Sequence, residues 1–255
     1  MLDIKAVRDI KGPPRRPEID QNVIKLLIGL GAFSLPIIEL AVAWVRDLPL
    51  ESISASYLYD PWPRNIFVGF LFGIGAFMLS YNGEGEEEMW LAKFGAVAAF
   101  CLALFPCHCT DGKHEIVPHV HLIATIVMFG VLTRFCFIFA SGAHSNLDDH
   151  PTNSRAKARK VIYYACVGGM VLSIALFLTF VVWNWPPSKA LGSAAAPPQG
   201  AMLVLVAEVL GLLSFGISWM TASHIFKCVT DPKETRDVFV RQPKREGDKA
   251  AASRA

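Results

Sequence analysis

Six long apolar stretches, separated by short polar ones, decide what this 255-residue chain can fold into. A bilayer core about 30 Å thick needs close to 20 apolar residues as helix, because lipid offers no partner to an unpaired backbone group. Stretches at 23–45, 65–81, 89–106, 118–140, 161–183 and 201–221 meet or approach that length. Composition agrees, with 53% hydrophobic and 18% charged residues, against roughly a quarter charged in ordinary soluble domains. The expectation is an all-α polytopic membrane protein: an N-terminal arm at 1–22, a single six-helix transmembrane bundle at 23–221, and a charged, disordered tail at 222–255. A formal net charge of +2 gives no global basic field, so no nucleic-acid partner is expected.

Charge along the chain sets an orientation. Residues 1–22 are polar and carry five Lys or Arg without an early apolar segment, so no secretory leader is expected. The 141–160 loop carries Arg155, Lys157, Arg159 and Lys160, and the tail after 226 carries eight more, whereas the opposite loops carry only Arg46, Arg64, Lys113 and Lys189. Basic residues favour the cytoplasmic side, so both termini are expected to be cytoplasmic in a plasma (inner) membrane. Glu84, Glu86, Glu87 and Glu88 then fall in a cytoplasmic turn, which the rule permits because acids contribute little to it. Trp44, Trp62, Trp183 and Trp185 fall at the opposite interface, where amphipathic rings settle. The loop at 186–200, rich in Pro, Gly and Ala, reads as extended and external.

Ionisable groups inside a span cost a few kcal/mol to insert, and they mark function more sharply than anything else in such a chain. Two acids stand out. Glu39 lies roughly 9 Å from the outer end of the first span, and Glu208 lies roughly 10 Å into the sixth, at 1.5 Å per residue. In the derived orientation both occupy one level of the outer leaflet. Just above that level the first outer loop offers Ser54, Tyr57, Asp60 and Arg64. His119 and His121 open the fourth span about 200° apart and cannot share a face. His121 continues into Thr125 and Met128, so it is the one expected to face inward. Together, Glu39, Arg64, His121 and Glu208 are expected to meet at an outward-facing polar pocket, or to form a hydrogen-bond network that locks the bundle.

Cys107, His108, Cys109, His119 and His121 have the side-chain types that bind zinc or copper. Their spacing lacks a CxxC pair, so the cofactor expectation is none, with zinc or copper the only candidates. No phosphate-binding loop, nucleotide fingerprint, GxSxG elbow or HExxH is present, which leaves ATP-driven transport, dehydrogenase and zincin chemistry unsupported.

The segment SIS in the first outer loop, followed by a Tyr-rich turn, Arg64 and IFVGFLFGIGAFMLSY, then ALFP, HLIAT and a last span ending FGISW, resembles a group of six-span bacterial membrane proteins. More distantly it is similar to the DRAM/Sfk-type family. That resemblance covers about residues 23–221 and implies a six-helix bundle with a membrane- or lipid-related role, carried over onto Ser54, Arg64, His121 and Glu208. It is less similar to the membrane metal-hydrolases that include alkaline ceramidases, because Leu58 stands four residues after Ser54 where those need His, and the sixth span has no HxxxH. Three functions follow as expectations. The first is binding of a membrane lipid head group or small amphiphile, with Arg64 meeting anionic groups. The second is an intramembrane hydrolase of a lipid-like ester or amide, with His121 or Glu208 as general base. The third is an accessory subunit that meets a membrane-protein partner through residues 230–255.

Overall fold

The computed structural model describes residues 20–59, 61–106, 116–149, 154–183 and 201–226. These residues form six α-helices and one short 3-10 helix, and no strand occurs among them. The helices are α1 (Gln21–Arg46), α2 (Pro61–Ser80), α3 (Glu86–Leu104), α4 (Ile116–Asp149), α5 (Ser154–Trp183) and α6 (Ala201–Ala222), with the 3-10 turn at Ser54–Leu58. Five of them are long and apolar enough to cross a membrane; α3, whose first turn holds Glu86, Glu87 and Glu88, is the exception. The protein is therefore a helical protein of membrane-spanning composition.

Local chemistry sets the ends. The Asp20 carboxylate accepts from the Asn22 amide at 2.9 Å and caps α1. At the other end Asp47 adopts the left-handed conformation at φ 51°, and the Leu48 amide donates to the Ala43 carbonyl at 2.9 Å. The helices overrun the apolar stretches most at α4 and α5. Residues 141–160, expected as a loop, are helical through Asp149 and again from Ser154. Apolar length measures the lipid-matched part of a helix, whereas segments such as Ser154-Arg-Ala-Lys-Ala-Arg-Lys favour helix by backbone propensity alone. Most of the expected N-terminal arm and tail, and the whole 186–200 loop, lie outside the described residues.

The six helices pack in a closed ring in chain order, α6 returning to α1, with a further contact between α4 and α6. Closure rests on small residues. A Cβ on Gly29 would lie 2.7 Å from the Met220 amide nitrogen, and one on Gly216 would lie 2.8 Å from the Phe33 nitrogen, so α1 and α6 cross backbone to backbone. Between α5 and α6, the Ser173 hydroxyl donates to the Ala207 carbonyl at 2.6 Å. Neighbouring helices run antiparallel, so the ring has two ends. One holds Ser54 and the chain ends of α1 and α3; the other holds Glu84 and the α2–α3 turn. At the Ser54 end Trp44, Trp62 and Trp183 point out of the bundle, whereas Trp185 lies outside the described residues. Large apolar side chains such as Leu30, Phe94, Ile123 and Val171 are likewise exposed on the ring's outer surface, as a lipid-facing surface requires.

Candidate functional site

At the Ser54 end, the segment between α1 and α2 folds inward over the ring and is held by two buried acids. Glu208, on the second turn of α6, accepts from the Ile53 amide at 2.5 Å and the Ser54 hydroxyl at 2.8 Å, with the Ser54 amide more distant at 3.4 Å. It sits where a capping side chain would, at the start of the 3-10 turn, although it comes from 154 residues downstream. Glu39, on the buried stripe of α1, accepts from the Ser56 hydroxyl at 2.8 Å. Its other carboxyl oxygen has no hydrogen-bond partner among the described residues. The two acids thus grip serines two positions apart on one short helix. Ser52 braces the turn by accepting from the Ala55 amide at 2.9 Å, and the Tyr59 hydroxyl donates to the Pro49 carbonyl.

Beneath this segment lies a cavity of about 60 Å³. Its walls come from α1, α2, α4 and α6, with Leu102 from α3 and Ile53 and Ser54 above. Four lining residues are polar, namely Ser54, His121, Thr125 and Glu208; the rest, including Leu71, Met128 and Phe215, are apolar. His121 is buried, and its Nδ1 lies 2.7 Å from the Phe105 carbonyl. A carbonyl only accepts, so Nδ1 carries a hydrogen and, in a neutral imidazole, Nε2 carries the lone pair. The Thr125 hydroxyl donates to the His121 carbonyl one turn back at 2.9 Å.

The expected residues are therefore only partly gathered. Ser54, His121 and Glu208 share the cavity, and Glu39 lies one serine away without lining it. Arg64 does not join them: it is exposed, because the inward stripe of α2 runs through Pro63, Phe67, Leu71, Ile74 and Met78, and Arg64 stands about 100° past Pro63. Tyr57 is half-buried against the core rather than in the cavity, and Asp60 lies outside the described residues. His119 is exposed, on the opposite face of α4 from His121. Cys107, His108 and Cys109 lie outside the described residues, among which no three His, Cys, Asp or Glu side chains are placed to hold a metal ion.

A second polar cluster, at the Glu84 end, escapes a reading that looks only for acids in spans. The basic residues within apolar stretches, Lys25, Lys93 and Arg134, all lie there. Lys25, only 4% exposed, donates to Glu84 at 3.1 Å and lies over the rings of Tyr81 and Phe139 at 5.9 and 5.6 Å. Arg134 pairs with Glu87 at 2.6 Å, the Tyr81 hydroxyl donates to Glu88 at 2.6 Å, and Lys93 donates to the carbonyls of Leu79 and Tyr81 at 2.5 and 3.0 Å. The acidic run is thus the fastening of the α2–α3 turn. The Lys25 ammonium beside it holds the Glu84 carboxyl below its ordinary value. Behind it, Trp219 is fully buried and meets Tyr81, Phe135 and Phe139 edge to face at 5.1, 4.8 and 5.5 Å.

Fold and site together define a helical membrane-type bundle with one polar-topped cavity described at its Ser54 end. No family model, curated protein or solved structure matches the chain.

Proposed function

We propose that the chain is a six-span protein of the plasma membrane, with both termini in the cytoplasm, whose outward-facing cavity binds a membrane lipid or small amphiphile. The observation that carries this reading is the cavity itself, mostly apolar and polar only toward the end where Ser54, His121, Thr125 and Glu208 lie. Such a gradient matches a molecule with an apolar body and one polar end. The orientation is supported by the segregation of Lys and Arg, to which Lys25, Lys93 and Arg134 add at the same end.

Binding is favoured over hydrolysis by how the hydrogen bonds are spent. The Ser54 hydroxyl is directed to Glu208, and the Ile53 and Ser54 amides end on the same carboxyl, so these donors are not open to a developing oxyanion. An accessory-subunit role through residues 230–255 remains a separate proposal.

Native mass spectrometry of the protein purified in mild detergent tests the reading. One copurified amphiphile is expected on the wild type and its loss is expected in Leu212→Trp, where the larger side chain occupies the cavity. Equal lipid content in both, with helical content unchanged, contradicts it.

A further inference from the structure

We infer that the cavity accepts an apolar molecule ending in a hydrogen-bond donor, a hydroxyl or an amine, and that it discriminates against carboxylates, phosphates and esters. This rests on the binding reading above and adds the ligand's chemistry. The Ser54 hydroxyl hydrogen goes to Glu208, the Thr125 hydroxyl hydrogen goes to the His121 carbonyl, and the Nδ1 hydrogen of His121 goes to the Phe105 carbonyl. The amide hydrogens of Ile53 and Ser54 end on Glu208 as well. Each of these donors is already used inside the protein.

What is left for a ligand is lone pairs: Nε2 of a neutral His121, the Thr125 oxygen, and the remaining acceptor capacity of Glu208, the Ser54 oxygen already lying 3.2 Å from the Ser52 hydroxyl. No Lys or Arg lines the cavity, and Arg64, the residue expected to meet an anion, is exposed on α2. An acceptor-only head such as an ester would leave its own lone pairs and those of the cavity facing each other without a hydrogen between them. Desolvating unmatched polar groups in this way costs more than the contact returns. A carboxylate or phosphate adds repulsion from Glu208. Size narrows the class again, because about 60 Å³ is smaller than the cavity of about 150 Å³ that takes up benzene in an engineered protein core. Only the end of a molecule fits, a donor group and the first carbons behind it.

Diazirine analogues of 1-octanol, octylamine and octanoic acid, photolysed with the full chain in lipid nanodiscs at pH 8, test this. Labelled residues are then located by peptide mass spectrometry. The alcohol and amine analogues are expected to label cavity residues such as Met128, Leu132 and Leu212 at least about tenfold more than the acid analogue, the size of effect that a mispaired buried polar group produces. Excess 1-octanol should block that labelling. His121→Gln, which keeps a side-chain acceptor, should retain the preference, and His121→Leu should reduce it to within about twofold. Equal labelling of the cavity by the acid and alcohol analogues overturns the inference and leaves the binding reading standing. Labelling elsewhere with none in the cavity overturns both. If His121→Leu does not fold, the wild-type ratio decides alone.

Discussion

Removing the carboxyl of Glu208 should release the segment above the cavity while leaving the helical ring closed. Two short bonds are at stake, from the Ile53 amide at 2.5 Å and the Ser54 hydroxyl at 2.8 Å, with the Ser54 amide at 3.4 Å at the margin of a hydrogen bond. Ile53 is only 1% exposed, so water does not replace the lost acceptor without local opening. At about 1–3 kcal/mol for each of two buried donors left unpaired, Glu208→Ala should cost the segment about 2–6 kcal/mol. Glu208→Gln, which keeps one acceptor oxygen, should cost about half of that, and Ser54→Ala about 1 kcal/mol. Hydrogen exchange followed by mass spectrometry reads the effect where it occurs. Every 1.4 kcal/mol is tenfold, so protection at the Ile53 and Ser54 amides should fall by at least about thirtyfold in Glu208→Ala. Amides in the middle of α2, such as Leu71, should exchange as in the wild type. If Ile53 and Ser54 keep wild-type protection in Glu208→Ala, the acid does not hold the segment and the reasoning fails.

Glu39 should be less demanding than Glu208, because only one of its oxygens is used; Glu39→Gln can still accept from Ser56 and should shift thermal stability by less than about 1 kcal/mol. Gly216→Ala should destabilise the detergent-solubilised protein by about 1–3 kcal/mol, since the new Cβ meets backbone on α1, whereas Gly73→Ala, with open space around it, should be neutral in the same melting assay. The Lys25–Glu84 pair should give stability that depends on pH. The Glu84 carboxyl is held below its ordinary 4.5, so its contribution is complete above that value and is lost as pH falls through the lower folded value. The Glu84 side chain is 80% exposed, which limits the gain to about 1 kcal/mol or less. The melting temperatures of wild type and Glu84→Gln should differ at pH 7 and converge as pH falls through the lowered folded value; a constant difference across that range would contradict the pairing.

Much of the bundle was legible because the membrane imposes a length on apolar helices that no other environment does. The matched depth of Glu39 and Glu208 was also readable, being a count of residues from two span ends. That both acids reach serines of one short 3-10 turn was not, since nothing local to residues 52–58 announces an inward fold that depends on a carboxyl 154 residues away. Arg64 was misplaced for a related reason. Its expected level, just above the two acids, said nothing of the stripe through Pro63, Phe67 and Leu71 that turns it outward. Lys25 was overlooked because it lies close to the start of its span, where a long side chain ordinarily reaches water; here it turns instead to Glu84 and two aromatic rings. The buried side of α4 at His121 was readable because the helical period beyond Pro118 separates it cleanly from the exposed His119.

Which hydrogens face the cavity decides what it binds, and His121 is the residue on which that turns. Nitrogen-15 spectra of protein labelled at histidine, recorded at pH 8.5 with the His121 signals assigned by their absence in His121→Gln, read that directly. The account predicts a protonated Nδ1, shifted by its bond to the Phe105 carbonyl, and an Nε2 with the chemical shift of an unprotonated nitrogen, moving when 1-octanol is added. A protonated Nε2 with a bare Nδ1 would place a donor in the cavity and contradict the claim that it offers acceptors alone.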